Sequence, residues 1–398
     1  IFQILYLPAL IIVFFNIFKK KYFLNKFNFF FILLVIFFLI QLIGLFNSFN
    51  SNSNSFFIIS ALNTVLICFL FKIYFSEKDL IVVLKLTIGL LLLILFFYGA
   101  QYFYVAIKSN AIFYNTWGKL ENSITGIPRP TGLARTALII LIFFTNAKSI
   151  KESNNKFFTI ISIISSTMIL ILSSRTILFL FFLYLLFYVI YFNLYKLKDL
   201  SIILKNFIII PFLIIFVFGL IQNLVHGNMY NLFFKQIALE KIFRKYPTVD
   251  INKTDKSKPP IGVIYKDKNQ NFSSGRIKDW NNIILLNKNK YFGYGVMGDR
   301  YLINQSASNI LLYSYASCGI LGVILIIVIC LKLFFYSLKK IFYHNKNKLN
   351  NFSFISSLII ISLLLRSILE TSFGVFGIDL MLFCLCAAII TKKMENKK

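Results

Sequence analysis

Residues 307–331 have the sequence ASNILLYSYASCGILGVILIIVICL, a run without a charged side chain that matches the length a helix needs to cross a bilayer. Similar runs recur along all 398 residues, 58% of which are hydrophobic and 48 of which are phenylalanine. Because hydrocarbon does not tolerate unpaired backbone groups, such runs form helices. The sequence therefore predicts an all-α polytopic integral membrane protein.

The apolar runs predict about 11–12 transmembrane helices. The predicted spans cover residues 1–18, 28–47, 56–75, 81–105, 132–147, 157–174, 176–194, 203–224, 307–331, 353–369 and 374–391. The chain then divides into N-terminal transmembrane helices (1–224), one large external loop (225–306) and C-terminal transmembrane helices (307–398). Since most of the chain lies in the bilayer, we expect any chemistry at helix ends and in loops.

Lysines set the predicted orientation. They occupy every second connection, for example Lys19–Lys21 and Lys339–Lys340, and the positive-inside rule makes those connections cytoplasmic. The arginines share the opposite side, and they are Arg129, Arg135, Arg175, Arg244, Arg276, Arg300 and Arg366. Because a guanidinium binds phosphate through two hydrogen bonds, arginines on the outer side indicate an external anionic substrate.

Composition excludes several classes of function. The net charge of +28 is dispersed over short loops, which argues against nucleic acid as a partner. The five cysteines lie in or beside apolar runs without metal-ligand spacing, and no glycine-rich phosphate loop follows a strand. We therefore predict no metal and no cofactor. The excess of Lys, Asn, Ile and Phe is typical of an AT-rich genome and indicates a bacterial protein.

The first of three local patterns is IPRPTGLART, residues 127–136. Arg129 lies between prolines, which favour extended backbone, and Gly132 permits a tight start to the span. Arg135 falls in the first helical turn, where an arginine is costly and usually functional. The alternative is that Arg135 only extends its charge to the membrane surface.

The second pattern is a tight turn at Ser173-Ser174-Arg175 between two apolar runs. A tight turn needs small residues, and the serines supply them. It does not need an arginine, so Arg175 is a candidate for substrate binding.

The third pattern begins with SGRIKDWNNIILL, residues 274–286, in the external loop. After a small-residue start, Ile277, Trp280 and Ile283 recur at helical spacing. This predicts an amphipathic helix on the outer leaflet, with Arg276 near its beginning.

Glycines and a polar start frame the span that follows. Gly293 and Gly295 permit a close backbone approach, and Asn309 brings an amide to the start of the span. Gly319 and Gly322 predict a close contact between helices.

Together and in this order, these patterns resemble the bacterial O-antigen polymerase and ligase superfamily, the Wzy/WaaL type. The resemblance covers most of the chain and includes RSILE at 366–370, Phe373-Gly374 and Gly377-Ile378-Asp379. It implies a GT-C-like glycosyltransferase that uses an undecaprenyl-diphosphate-linked oligosaccharide on the periplasmic face. Its other expected partners are membrane lipids and a chain-length regulator.

One departure from the family favours the polymerase. Ligases typically carry a histidine directly before the asparagine aligned with Asn309, and this chain has Ser308 there. The two histidines, His226 and His344, lie elsewhere.

Such a transfer needs a stabilised diphosphate leaving group and a base for the acceptor hydroxyl. The predicted diphosphate- and substrate-binding residues are Arg129, Arg135, Arg175, Arg276, Arg366 and Asn309. Glu370 is the first candidate for the base, Asp299 the second, and Asp279 follows. Glu370 lies four residues after Arg366, so a purely structural ion pair is the alternative.

Two other functions stay open at this stage. One is an O-antigen ligase that transfers glycan to the lipid A core. The other is a transporter or flippase of lipid-linked sugar. A basic pocket closed from the cytoplasm favours the enzyme, whereas a central cavity reachable from both sides favours the transporter.

Overall fold

The computed structural model describes residues 29–47, 51–109, 129–150, 156–172, 174–192, 197–226, 276–288, 291–303, 306–342 and 351–395. These ranges contain helices and turns and no strand, which confirms the all-α prediction for the described part of the chain. The predicted span 1–18 and most of the predicted external loop lie outside the described residues.

The helices in chain order are α1 (Phe29–Gly44), α2 (Ser51–Tyr74), α3 (Glu77–Ser109), α4 (Pro130–Ile150), α5 (Lys156–Leu172), α6 (Arg175–Tyr191), α7 (Leu197–Leu204), α8 (Ile210–His226), α9 (Arg276–Leu286), α10 (Gly298–Ile303), α11 (Ile310–Phe342), α12 (Asn351–Ser367) and α13 (Ile378–Glu395). A 3₁₀ turn (Leu45–Asn47) follows α1, and a π-helical turn (Lys205–Ile209) joins α7 to α8.

Six apolar helical segments are long enough to cross a membrane, as expected for a multi-pass membrane protein. They are Phe29–Asn47, Ser55–Tyr74, Glu77–Ile107, Pro130–Ala147, Leu200–Ile221 and Ile310–Phe342. Shorter apolar helices cover Lys156–Leu172, Arg175–Tyr191 and Phe352–Ser367.

The chain forms two compact units. The terminal unit contains α1, α2, the first residues of α3, and α9 to α13. The central unit contains the rest of α3, from Val83 onward, and α4 to α8. The sequence predicted a different kind of division, into consecutive segments with boundaries at 224 and 306. That division stays a prediction.

In the terminal unit, α11 packs against α1, and α13 packs against α2. The ring of Phe383 on α13 stacks on Phe373 at a centroid distance of 3.9 Å and meets Phe30 edge-on at 5.8 Å. Lys392 Nζ donates to the carbonyl of Lys72, 2.8 Å away near the C-terminal end of α2, where the helix dipole favours a cation. These contacts hold the ends of the unit's helices together.

In the central unit, α4 and α5 form a helical hairpin. Phe144 near the end of α4 lies 5.5 Å, centroid to centroid, from Phe158 near the start of α5. The two helices are therefore antiparallel, and α6 begins within a few residues of the end of α5. This topology brings the N-terminal ends of α4 and α6 to the same end of the unit.

Helix α11 is interrupted at Gly319, whose φ of 67° and ψ of −158° are not helical. The interruption frees carbonyls that an intact helix would use. The amide of Asn287 donates to the carbonyl of Tyr315. The backbone N–H groups of Tyr294 and Gly295 donate to the next two carbonyls, those of Ala316 and Ser317, at 2.8 and 2.9 Å. The loop before α10 thus supplies hydrogen-bond donors to carbonyls that the break in α11 leaves without a helical partner.

Gly293 and Gly295 make this docking possible, as the sequence predicted. Both have positive φ, and a Cβ on Gly293 would lie 2.6 Å from the Ala316 carbonyl oxygen. Gly44 at the end of α1 packs as closely against the same loop, because a Cβ on Gly44 would lie 2.6 Å from the backbone N of Gly295. Gly319 also interrupts its helix, because its positive φ is not helical, and the helix contact predicted at Gly319 and Gly322 stays a prediction.

Candidate functional site

The main polar cluster of the terminal unit forms where α12 ends. Arg366, in the last turn of α12, pairs through Nη2 with Glu370 and through Nη1 with Asp379 at the start of α13. Ser372 donates its hydroxyl to Asp379 Oδ2 at 3.1 Å. The turn forms because the N–H groups of Leu369 and Glu370 both donate to the Arg366 carbonyl at 2.9 Å.

Burial gives the three charged residues different roles. Arg366 and Asp379 are 6% and 3% exposed, whereas 21% of the Glu370 side chain is exposed. A buried guanidinium needs counterions, and Asp379 supplies one within the protein. One guanidinium thus faces two carboxylates. Glu370 is the most accessible member of the cluster.

This arrangement bears on two predicted site residues. The predicted pair of Arg366 and Glu370 is present, and Arg366 also holds Asp379. A diphosphate bound to Arg366 would have to compete with two carboxylates. The geometry therefore favours Arg366 as a residue that positions Glu370.

Asn309 fixes the start of α11 beside this cluster. Its Oδ1 accepts hydrogen bonds from the N–H groups of Leu311 and Leu312 at 2.7 and 3.3 Å, so its side chain caps the helix. Its Nδ2 donates to the carbonyl of Ile368 at 2.9 Å. Asn309 thus ties the start of α11 to the turn that carries Glu370.

A second tie runs through hydroxyl groups. The hydroxyls of Ser306 and Thr371 lie 3.3 Å apart, and Thr371 directly follows Glu370. Both residues are half-buried. The segment before α11 and the segment after α12 therefore form one polar surface.

Ser308, between these two ties, has a left-handed backbone with φ of 53°. That conformation is costly for a residue other than glycine and persists only where neighbours fix it. Asp299 and Trp280 fix the residue before it, Ala307. The N–H of Ala307 donates to Asp299 Oδ2 at 2.8 Å, and its carbonyl accepts from Trp280 Nε1 at 2.9 Å.

Asp299 is 2% exposed, and burial raises the pKa of its carboxyl group above the ordinary range. Its two oxygens accept hydrogen bonds from the N–H groups of Ala307 and Arg300. These bonds favour the ionised form and oppose the effect of burial. Asp299 therefore holds the segment before Ser308 in place, and its predicted catalytic role stays a prediction.

The other described arginines of the predicted site belong to the central unit. Arg129 is exposed directly before α4, Arg135 is half-buried in the second turn of α4, and Arg175 is exposed as the first residue of α6. A cation at a helix N-terminus opposes the helix dipole, so helix stability does not account for these residues. Two helix N-termini with arginines at one end of a unit can attract an anion.

Arg276 begins α9, and its side chain lies outside what the structure describes. Among the predicted residues, the structure thus gathers Arg366, Glu370, Asn309 and Asp299 in the terminal unit.

Asp379 is the principal residue that sequence reasoning underrated. Its signals in the sequence were the Gly377-Ile378-Asp379 motif and its position at the start of the last span. A carboxylate in the first turn of an apolar helix is costly unless it is paired. This cost could have identified Asp379 as a residue with a cationic partner. Ser372 had no signal of its own.

Within the described ranges, no group of three or more His, Cys, Asp or Glu side chains could hold a metal ion. The chain matches no protein-family model, no curated protein and no solved structure.

Proposed function

We propose that this chain is a glycosyltransferase that polymerises undecaprenyl-diphosphate-linked oligosaccharide repeat units on the periplasmic face of the bacterial inner membrane. In this proposal its architecture is GT-C-like. The all-α fold with six membrane-length apolar helices supports it, together with the motif resemblance to O-antigen polymerases.

The observation that carries the proposal is the cluster of Arg366, Glu370 and Asp379. A glycosyl transfer needs a base beside the acceptor hydroxyl, and Glu370 is a partly exposed carboxylate held by a buried guanidinium. The hydroxyls of Ser306 and Thr371 nearby suit a sugar-binding surface.

The proposed mechanism divides the work between two sets of residues. Glu370 accepts the proton of the acceptor hydroxyl as the new glycosidic bond forms. The bond from the sugar to the carrier diphosphate breaks as the new bond forms. Arg129, Arg135 and Arg175 of the central unit remain the predicted diphosphate-binding residues. Arg366 and Asp379 act as positioning residues for Glu370.

The test uses purified protein with lipid-linked repeat unit as the only substrate. We expect Glu370→Gln to abolish polymer while the protein folds normally, because glutamine keeps the size and loses the basicity. Glu77→Gln, which changes a half-buried carboxylate at the start of α3, is the matched control. Normal polymer from Glu370→Gln would remove Glu370 as the base.

The arginines are tested by charge-conserving changes. Arg175→Lys keeps the charge and loses two-point binding of phosphate, so we expect long polymer to disappear and single repeat units to persist. We expect the wild-type protein to polymerise in EDTA, because arginines neutralise the diphosphate. Activity restored only by a divalent cation would contradict this mechanism.

The proposed orientation has its own test. Single cysteines at Asn52, Asn271 and Thr371 of a cysteine-free variant should react with an impermeant thiol reagent in intact spheroplasts. A cysteine at Asn345 should not react. Labelling at Asn345 without lysis would reverse the orientation.

The ligase alternative predicts another phenotype. If the chain is a polymerase, deletion of its gene should leave single repeat units attached at the cell surface, and His226→Ala should have no effect. Loss of the attached single unit, with accumulation of lipid-linked polymer, would favour the ligase.

One structural observation favours a transporter as the second candidate. Interrupted helices are common at the binding sites of transporters, and α11 is interrupted at Gly319. In proteoliposomes, a transporter would move fluorescent lipid-linked sugar between leaflets without lengthening it. Polymer formation without such movement would favour the enzyme.

A further inference from the structure

The C-terminal end of α9 and the residues after it expose a patch of large apolar side chains. This patch, called the α9 patch below, consists of Ile284, Leu285, Leu286, Tyr291 and Phe292. Leu285 is 68% exposed and Tyr291 is 81% exposed. Large exposed apolar patches mark contacts with partners or membranes.

The α9 patch is rigidly attached to the rest of the terminal unit. Ile283 is fully buried, and the buried Asn287 donates its amide to the carbonyl of Tyr315. Beyond the patch, Tyr294 and Gly295 donate to the next two carbonyls of α11. These bonds fix the patch at the level of residues 315–317.

That level lies near one edge of the predicted hydrocarbon layer. No charged residue occurs in α11 before Lys332, whose ammonium lies 4.2 Å from the centroid of the Phe29 ring. Counting back about 20 residues from Lys332, the length that spans the hydrocarbon, reaches Leu312. At a rise of ~1.5 Å per residue, residues 315–317 lie within the first two helical turns inside that edge.

Exposed apolar side chains of α11 flank the same level. Leu311, Ile320 and Leu321 are exposed apolar residues of a membrane-length helix. The α9 patch thus lies at the same depth as exposed apolar residues of a membrane-length helix. Lys288 is exposed within this segment, and a lysine can keep its stem in the apolar layer while its ammonium reaches lipid phosphates.

We propose that the α9 patch is a membrane anchor that inserts into the lipid leaflet at the N-terminal end of α11. Its apolar side chains contact acyl chains, Tyr291 lies at the interface, and Lys288 contacts headgroup phosphates. The anchor fixes the depth of the adjoining segment, because Trp280 of α9 bonds the carbonyl of Ala307. This proposal is independent of any catalytic activity.

Photo-crosslinking in an otherwise native chain tests the anchor. A benzophenone amino acid replaces Leu285 or, as the matched control, Asn281, which is exposed one turn earlier on the same side of α9. In vesicles of phosphatidylethanolamine and phosphatidylglycerol, mass spectrometry should find several-fold more lipid adduct at position 285. Equal lipid adducts at both positions, or a covalent dimer in place of a lipid adduct at 285, would overturn the proposal.

A depth measurement provides an independent readout. A nitroxide at position 285 should be more accessible to oxygen than to an aqueous nickel complex, and a nitroxide at position 281 should show the reverse. Greater accessibility to the nickel complex at position 285 would place the patch in water and reject the anchor.

Discussion

The two units of the molecule hold their arginines in opposite environments. In the terminal unit, Arg366 is buried between two carboxylates. In the central unit, Arg129 and Arg175 are exposed at helix N-termini. A buried guanidinium must be neutralised within the protein, whereas a surface guanidinium can act on a ligand. The arginines predicted on the outer side therefore differ in role. Arg366 organises the protein interior, whereas Arg129 and Arg175 place their charge at the protein surface.

The largest expected difference between the two kinds of arginine is the effect of their replacement on the free energy of unfolding. Arg366→Met leaves Asp379 buried without its counterion, so we expect a loss of about 3–5 kcal/mol in the free energy of unfolding. Arg175→Met changes an exposed residue and should alter it by less than about 0.5 kcal/mol. Denaturant unfolding in the same detergent measures both.

The double variant Arg366→Met with Asp379→Asn provides the control, because it removes the stranded charge and should recover part of the loss. Equal stability losses for Arg366→Met and Arg175→Met would show that the buried ion pairs are unimportant.

A glycine from each unit extends the comparison to the backbone. Gly293→Ala places a Cβ 2.6 Å from the Ala316 carbonyl oxygen at a φ of 65°, so we expect a loss of about 1–3 kcal/mol. Gly89 lies in helix α3, and an added Cβ would meet no described atom within 4 Å beyond its own stretch of helix backbone. Gly89→Ala should therefore stabilise the protein by about 0.5–1 kcal/mol. Thermal unfolding of both variants measures the difference, and a neutral Gly293→Ala would argue against the docked loop.

Local patterns predicted most of the helices and little of their contacts. Hydrophobic runs placed α4 at residues 132–147, and the helix extends to Pro130–Ile150. The run at 307–331 ended at the first lysine, but α11 continues to Phe342 because lysines are good helix formers outside the hydrocarbon. Composition therefore located the apolar cores of helices and missed their polar ends.

Sequence patterns did not predict the contacts between residues that are far apart in the chain. The pair of Arg366 and Glu370 was predictable because four residues on a helix bring side chains together. Asp379 reaches Arg366 across a turn, which no periodic pattern specifies. The break at Gly319 depends on N–H donors from Tyr294 and Gly295, far away in sequence. Glycine content indicated close approach but not the partner.

Helix capping gives the third test of the two units. Asn309 caps α11 through its side chain, whereas Ser174 precedes α6 without a side-chain capping bond. We expect Asn309→Ala to cost about 1–2 kcal/mol and Ser174→Ala to be nearly neutral. Asn309→Asp retains the cap and loses the donor to Ile368, so it should cost less than Asn309→Ala. Chemical unfolding curves distinguish the three, and equal effects of the two alanine changes would reject the capping role.

The smallest expected effect concerns the neutral polar cluster of the central unit. Tyr184 on α6 contacts the hydroxyl of Thr145 and accepts a hydrogen bond from Asn146 Nδ2 at 2.8 Å, and all three side chains are buried between α4 and α6. Tyr184→Phe removes one uncharged group, and hydrogen bonds between membrane helices are individually weak. We therefore expect a loss of about 0.5–1.5 kcal/mol, well below that of Arg366→Met. Because no charge is stranded, the loss should be the same at low and high ionic strength. Unfolding measured at two salt concentrations tests this, and a loss as large as that of Arg366→Met would show that neutral contacts stabilise the central unit as strongly as ion pairs stabilise the terminal unit.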